Sequence, residues 1–283
     1  MNSPHFETLI TAAELCQQSH GPGWRIFDCR FSLADSTYGS RAYAEGHIPN
    51  AIFLHLDNDL SGTKTGQNGR HPLPDQQKFV TRMANCGVDA NTQVIAYDDQ
   101  DGMFAARLWW MLRWLGHRRV AVLDGGLAAW HAAGLPLDTI IPSFPPADFV
   151  PQSGEIVLTV DDVLTHVKQG GRLIIDARSE DRYAGQNETL DPVGGHIPGA
   201  INRFFRHNLD KTGHFKTPSQ LRTEFDSLIN EYPADHVIHQ CGSGVTACHN
   251  LLAMEIAGLT GSCLYAGSWS EWCSNPNRPM VTE

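Results

Sequence analysis

Short apolar runs alternate along this chain with longer stretches whose apolar positions recur every three or four residues. Residues 26–28, 94–97 and 120–123 in the first half, and 174–176, 237–240 and 262–265 in the second, predict buried strands. Phe104, Leu108, Met111, Leu112 and Leu115 keep helical spacing, as do Val245, Cys248, Leu252 and Ile256. Strands alternating with helices imply an α/β fold, a parallel sheet covered on both faces. In such sheets sites lie at the carboxyl ends of strands, where loops open into helices. The longest greasy stretch, 109–115, contains Arg113, and no run is long enough for a membrane span.

The pattern occurs twice. Thr11-Ala-Ala-Glu14 and Thr159-Val-Asp-Asp162 each read as a helix N-cap with an acidic residue three positions on. Arg25-Ile-Phe-Asp-Cys-Arg30 answers Leu173-Ile-Ile-Asp-Ala-Arg178, and Gly46-His-Ile-Pro answers Gly195-His-Ile-Pro. Leu123-Asp-Gly-Gly126, leading to Trp130, answers Leu264-Tyr-Ala-Gly267, leading to Trp272. Between the copies Pro142, Pro145, Pro146 and Pro151 exclude a helix or a central strand. The expected organisation is a first domain at 1–140, a proline-rich linker at 141–152 and a second domain at 153–283.

The net charge of -10 argues against nucleic acid or an anionic membrane as partner. It leaves room for an anionic small substrate, because a pocket's local field can oppose the net charge. Seven cysteines without a C-x-x-C are expected to be reduced thiols, not a disulfide framework or a zinc site. The N-terminal residues 1–8 lack an apolar run, so no secretory signal is expected and a cytoplasmic location is.

Directly after the strand 237–240 comes Cys241-Gly-Ser-Gly-Val-Thr-Ala247, then a helix. Glycines at 242 and 244 permit positive φ and remove bulk. Successive N–H groups can then form an anion-binding nest, helped by the positive end of the helix. A thiol held there ionises more readily. Three chemistries could use this cradle: sulfur transfer through a persulfide, phosphate-ester hydrolysis, and dinucleotide binding. The dinucleotide fingerprint wants an acidic residue about twenty positions on, and 261–267 has none. A phosphatase wants an arginine at the loop's far end, where Ala247 stands. In the first copy Asp98 occupies the place of Cys241, so that copy is expected to keep the fold and not the chemistry; the loop there also lacks paired glycines.

The paired G-H-I-P motifs, D-G-G-L-x-x-W, G-S-W-x-E-W and C-G-S-G-V-T-A together resemble the tandem-domain rhodanese family of sulfurtransferases over nearly the whole chain. The resemblance implies two rhodanese-like α/β domains, each a parallel sheet flanked by helices, with the nucleophile only in the second. Cys241 would be that nucleophile, cradled by Gly242, Ser243, Gly244, Val245, Thr246 and Ala247. It implies a ping-pong cycle: Cys241 takes sulfur from a small anionic donor, 3-mercaptopyruvate or thiosulfate, and passes it to cyanide, a thiol or a thioredoxin-like protein. No metal or organic cofactor is implied. Arg182 matches the family arginine that binds the donor anion. The mercaptopyruvate branch carries a second arginine nine positions later, where this chain has Asp191; Arg203 or Arg206 could substitute. His47 and Asp35 resemble a histidine and an aspartate proposed to relay protons with the loop serine, although the recurrence of His47 as His196 favours a bracing role. Trp269 is a candidate pocket wall or core residue. The alternative function is a persulfide carrier with little turnover on small donors.

Overall fold

The apolar runs form two five-stranded sheets in a computed structural model that describes residues 5–18 and 21–282. Residues 1–4, which open the N-terminal segment read above, lie outside the described residues.

In the first unit β1 (Leu9–Ile10), β2 (Trp24–Asp28), β3 (Ala51–Phe53), β4 (Gln93–Tyr97) and β5 (Val120–Leu123) pair in the order β1-β5-β4-β2-β3. Every pairing is parallel. The connections run through α1 (Ala12–Gln18), α2 (Tyr38–Glu45), α3 (Gln76–Asn85) and α4 (Ala105–Trp114), and α5 (Gly126–Ala132) follows β5. All five residues of β4 are buried, which is why its apolar run is continuous and does not alternate. Residues 105–113 of α4 are buried as well, as suits a helix packed on more than one side.

The second unit repeats this order. Here β6 (Val157–Leu158), β7 (Leu173–Asp176), β8 (Ala200–Asn202), β9 (Val237–Gln240) and β10 (Cys263–Tyr265) pair as β6-β10-β9-β7-β8, again all parallel. Its helices are α6 (Val160–Gln169), α7 (Glu180–Tyr183), α8 (Pro218–Ile229), α9 (Ala247–Ile256) and α10 (Ser268–Trp272). From β7 the chain winds outward to β8, and from β9 it winds the other way to β10. The reversal between β7 and β9 opens a crevice at their carboxyl ends, the usual ligand position in such a sheet.

Local chemistry starts the helices where the sequence indicates. Thr159 and Asp162 form a reciprocal capping box, and so do Thr11 and Glu14. Each unit ties its G-H-I-P turn to a strand end through a buried ion pair. Arg30 holds Asp28 at 2.6 Å and the Gly46 carbonyl at 2.8 Å; Arg178 holds Asp176 at 2.6 Å and the Gly195 carbonyl at 2.7 Å.

The stretch 141–152 contains no helix or strand. The two compact units do not follow sequence order throughout. Thr63–Leu73 belongs to the second unit and Thr212–His214 to the first. These segments come from corresponding loops of the two repeats, marked by Thr63-Lys-Thr-Gly66 and Asp210-Lys-Thr-Gly213. The contiguous division expected from sequence does not contain this exchange. No helix among the described residues is long and apolar enough to cross a membrane.

Candidate active site

Cys241 stands at the carboxyl end of β9, beside the point where the strand order reverses between β7 and β9. Strand β9 is buried throughout and delivers Cys241 at its end, 2% exposed. The loop is pinned to the start of α10 on one side. Cys241 N–H donates to Ser268 Oγ at 3.1 Å, the Cys241 carbonyl accepts from Trp269 N–H at 3.0 Å, and the Gly242 carbonyl accepts from Ser270 N–H at 2.9 Å. On the other side the Cys248 thiol donates to the Gly244 carbonyl at 3.3 Å. Gly244 N–H donates to Cys241 Sγ at 3.1 Å, the anion-cradling contact the loop sequence implies. α9 begins directly afterwards at Ala247, with its amino end toward the loop.

The two loop glycines serve different ends. Gly244 has φ 76°, and a Cβ there would lie 2.2 Å from the Ala266 carbonyl oxygen. Gly242 is not in the left-handed region; of the two properties expected of the loop glycines, positive φ and lack of bulk, it uses the second. Its Cβ would lie 2.7 Å from Arg70 Nη2 and 3.4 Å from Arg182 Nη2. Glycine at 242 is what lets two guanidinium groups lie against the loop.

Arg182 therefore does reach the loop. Its guanidinium donates to Glu188 at 2.8–3.0 Å and contacts Asp191 at 3.4 Å. Arg70 comes from Thr63–Leu73: its N–H donates to Ser270 Oγ at 3.0 Å, and its Nη1 binds Asp191 Oδ1. The neighbouring His71, 4% exposed, places Nδ1 2.8 Å from Ser243 Oγ. Arg203, considered above as a second donor ligand, is engaged by Glu224 at 2.5 Å and by Asn208 at 3.2 Å, and Arg206 lies over Phe205. The second guanidinium at the loop is Arg70.

Burial works against the Arg178 charge, but Asp176, Glu188 and Cys241 outweigh it and hold its pKa above the ordinary arginine value. Glu188 and Asp191 diverge. Burial alone would raise both. For Glu188, the amides of Leu190 and Asp191 together with Arg182 prevail and bring it below the usual carboxylate range. For Asp191, burial prevails over Arg70 and Arg182, and repulsion from Glu188 adds to it, so its pKa is raised.

Two residues expected to act at the donor site, His47 and Asp35, belong to the first unit. His47 is fully buried in the first unit. Its Nδ1 lies 2.8 Å from the Tyr43 carbonyl and its Nε2 3.1 Å from the Ile140 carbonyl, with the ring stacked on Tyr43. His196 makes the same brace on Tyr183 in the second unit. His47 Nε2 also lies 3.3 Å from Asp138 Oδ1, so the His47 ring braces its own turn through both nitrogens. Asp35 lies on an exposed turn of the first unit, where Arg41 and Thr37 hold its carboxyl down to about 2. These contacts tie the turn before α2 to Arg41 within the helix. Trp269 is core: it is fully buried, donates to the Val193 carbonyl at 2.8 Å and underlies Arg178.

Arg70, His71 and Glu188 were not singled out in the sequence. A fifth repeat landmark, the Thr-Lys-Thr-Gly and Asp-Lys-Thr-Gly pair, marks the loop that carries Arg70 and His71, and it was available.

Residues 11–133 and 159–275 each match the model of the rhodanese-like domain. A probable 3-mercaptopyruvate sulfurtransferase of Pseudomonas aeruginosa is 46% identical over 277 residues, covering 97% of this chain and 98% of that protein. A putative thiosulfate sulfurtransferase of Mycobacterium tuberculosis is 37% identical over 287 residues, covering 97% and 96%. Among solved structures, the 3-mercaptopyruvate sulfurtransferase of Leishmania major superposes with a TM-score of 0.83 at 32% identity, covering 94% of this chain and 74% of that one. With both rhodanese-like domains matched and relatives of this similarity along almost its full length, the chain belongs to the tandem-domain rhodanese family of sulfurtransferase enzymes.

Proposed function

We propose that the protein moves sulfur from a small anionic donor, 3-mercaptopyruvate ahead of thiosulfate, to a thiol acceptor through a persulfide on Cys241. The observation that carries this reading is the pair of guanidinium groups of Arg70 and Arg182 against Gly242, one residue from a sulfur that already accepts Gly244 N–H. The Cys241 thiolate attacks the donor's outer sulfur and an S–S bond forms. The donor's bond to that sulfur breaks, and the electron pair leaves with the pyruvate enolate or with sulfite. In the second half-reaction an acceptor thiolate, or cyanide, attacks the outer sulfur, and the Cys241 thiolate is the leaving group. Main-chain N–H dipoles stabilise the charge on sulfur in both steps.

The preference for mercaptopyruvate follows from proton demand. An enolate must gain a proton to become pyruvate, whereas sulfite leaves as a stable anion. Ser243, hydrogen-bonded to buried His71, supplies a polarising hydroxyl two residues from the sulfur. All seven cysteines are free thiols, which supports a reducing compartment where thiol acceptors are at hand.

Incubation with either donor, desalting and intact-mass measurement test the reading. The protein should gain one sulfur, lose it to cyanide or dithiothreitol, and gain none as Cys241→Ser. Turnover on 3-mercaptopyruvate should exceed that on thiosulfate. Stable loading without turnover would indicate a persulfide carrier, and no loading from either donor would end the proposal.

A further inference from the structure

The donor-binding arginines are already occupied. Asp191 Oδ1 binds Arg70 and its Oδ2 lies 3.4 Å from Arg182 Nη2, so one carboxylate bridges both guanidinium groups. That is the arrangement a donor's own anionic group would take. We propose that Asp191 is an internal anion that fills the two-arginine clamp until a donor displaces it, and that it thereby sets the affinity for anionic donors. The inference rests on the sulfurtransferase reading for the identity of the anion.

Three further observations single out Asp191. First, charge is balanced before any donor arrives: Arg70, Arg178 and Arg182 face Asp176, Glu188 and Asp191. An added anion therefore has to take over an existing partner. Second, the carboxylates differ in how firmly they are held. Asp176 accepts the Arg178 main-chain N–H at 2.9 Å as well as its side chain, and Glu188 accepts the Leu190 and Asp191 amides at 2.9 and 3.1 Å. The contacts of the Asp191 carboxylate are with the two arginines, and burial disfavours its charge. It is the exchangeable member. Third, it has somewhere to go. A pocket of about 400 Å³ adjoins Asp191, bounded also by Lys64, Gly66, Gly69 and Leu190, with room for a carboxylate that turns away from the arginines. A site filled by its own ligand for most of the time binds an external one more weakly by the fraction of time it is free.

This makes Asp191 a positioning residue that acts through Arg70 and Arg182. Its test compares anionic with neutral donors in the full-length protein. Asp191→Asn keeps the shape and removes the charge. It should lower the half-saturating concentration for Cys241 loading by thiosulfate and by 3-mercaptopyruvate about tenfold, within the range of ordinary site-to-site couplings. The maximal loading rate should stay the same. Pyruvate, an unreactive anion, should bind more tightly by a similar factor in calorimetry. Attack of the Cys241 thiolate on neutral dimethyl trisulfide, which leaves a methyl-capped mixed disulfide on the cysteine as the methyl hydrodisulfide anion departs, should not change in rate, whereas a general structural role would move it. Asp191→Glu, which restores the anion, should return toward wild-type values. Unchanged or weaker binding of pyruvate and the anionic donors in Asp191→Asn, or an equal shift for the trisulfide, would overturn the proposal. If the wild type takes sulfur from no donor, the sulfurtransferase reading falls, and pyruvate calorimetry still decides the role of Asp191.

Discussion

After β4 the chain enters a loop in which the Asp98 carboxylate, fully buried, accepts N–H groups from Gln100, Gly102, Phe104 and Ala105 at 2.8–2.9 Å. After β9 it enters the corresponding loop, in which Gly244 N–H donates to the Cys241 sulfur. Each loop turns main-chain N–H toward the side chain that ends the strand, at the amino end of a helix: four groups at the Asp98 carboxylate and one at the Cys241 sulfur. The first carries its own anion as a carboxylate, held by four donors. This loop makes its turn without paired glycines, through Asp101 at φ 62° and Gly102 at φ 78°. The inward-turned loop is thus a property of the repeated fold, and what fills it depends on one residue. Cations at the flank set the second loop apart. Arg70 and Arg182 lie against Gly242, whereas the first loop carries Asp99 and Asp101, which would repel a second anion.

The largest expected effect is on the first loop. Asp98→Ala leaves four buried amides without their acceptor and should lower stability by about 3–5 kcal/mol. Urea unfolding measures it, and a loss under about 1 kcal/mol would mean that the carboxylate is not what holds this nest.

A smaller effect separates the Arg30 and Arg178 braces. Both hold an aspartate and a carbonyl, but Arg178 also faces Glu188 at 3.5 Å. Glu188→Gln should cost about 2 kcal/mol at pH 7. The sign with pH follows from its depressed pKa. Its stabilisation is fully present above the ordinary glutamate value and is lost as pH falls through the lower folded-state value. Unfolding curves of wild type and variant should therefore converge in acid. A gap that is constant with pH would assign the loss to packing.

The smallest effect tests the flank directly. Gly242→Ala places a methyl group where the Arg70 guanidinium lies and should raise the half-saturating donor concentration about tenfold, worth about 1.4 kcal/mol. Cyanide-dependent unloading should change much less. Equal losses in both steps would indicate a distorted sulfur cradle instead of displaced arginines.

Much of this was readable in advance. The strands at 94–97 and 237–240 are buried on both faces, so their apolar runs are continuous and easy to recognise. The Thr159 cap, the Asp28–Arg30 and Asp176–Arg178 pairs and the Cys241 loop depend on neighbours a few residues apart, which spacing reveals. His47 was harder, because G-H-I-P is visible in sequence while the carbonyls of Tyr43 and Ile140 that consume its ring are not.

From the amino-acid order alone came the duplicated α/β pattern, the cysteine loop after β9 and the glycine that turns it, because each is written in local spacing and conformational need. Folding decided which distant side chains meet that loop. Arg70 and His71 reach Gly242 and Ser243 because their segment folds into the second unit, and Asp191 meets two arginines because chain entry and strand winding bring them together. Ion pairs and hydrogen bonds act over a few ångströms in space, whatever the separation along the chain.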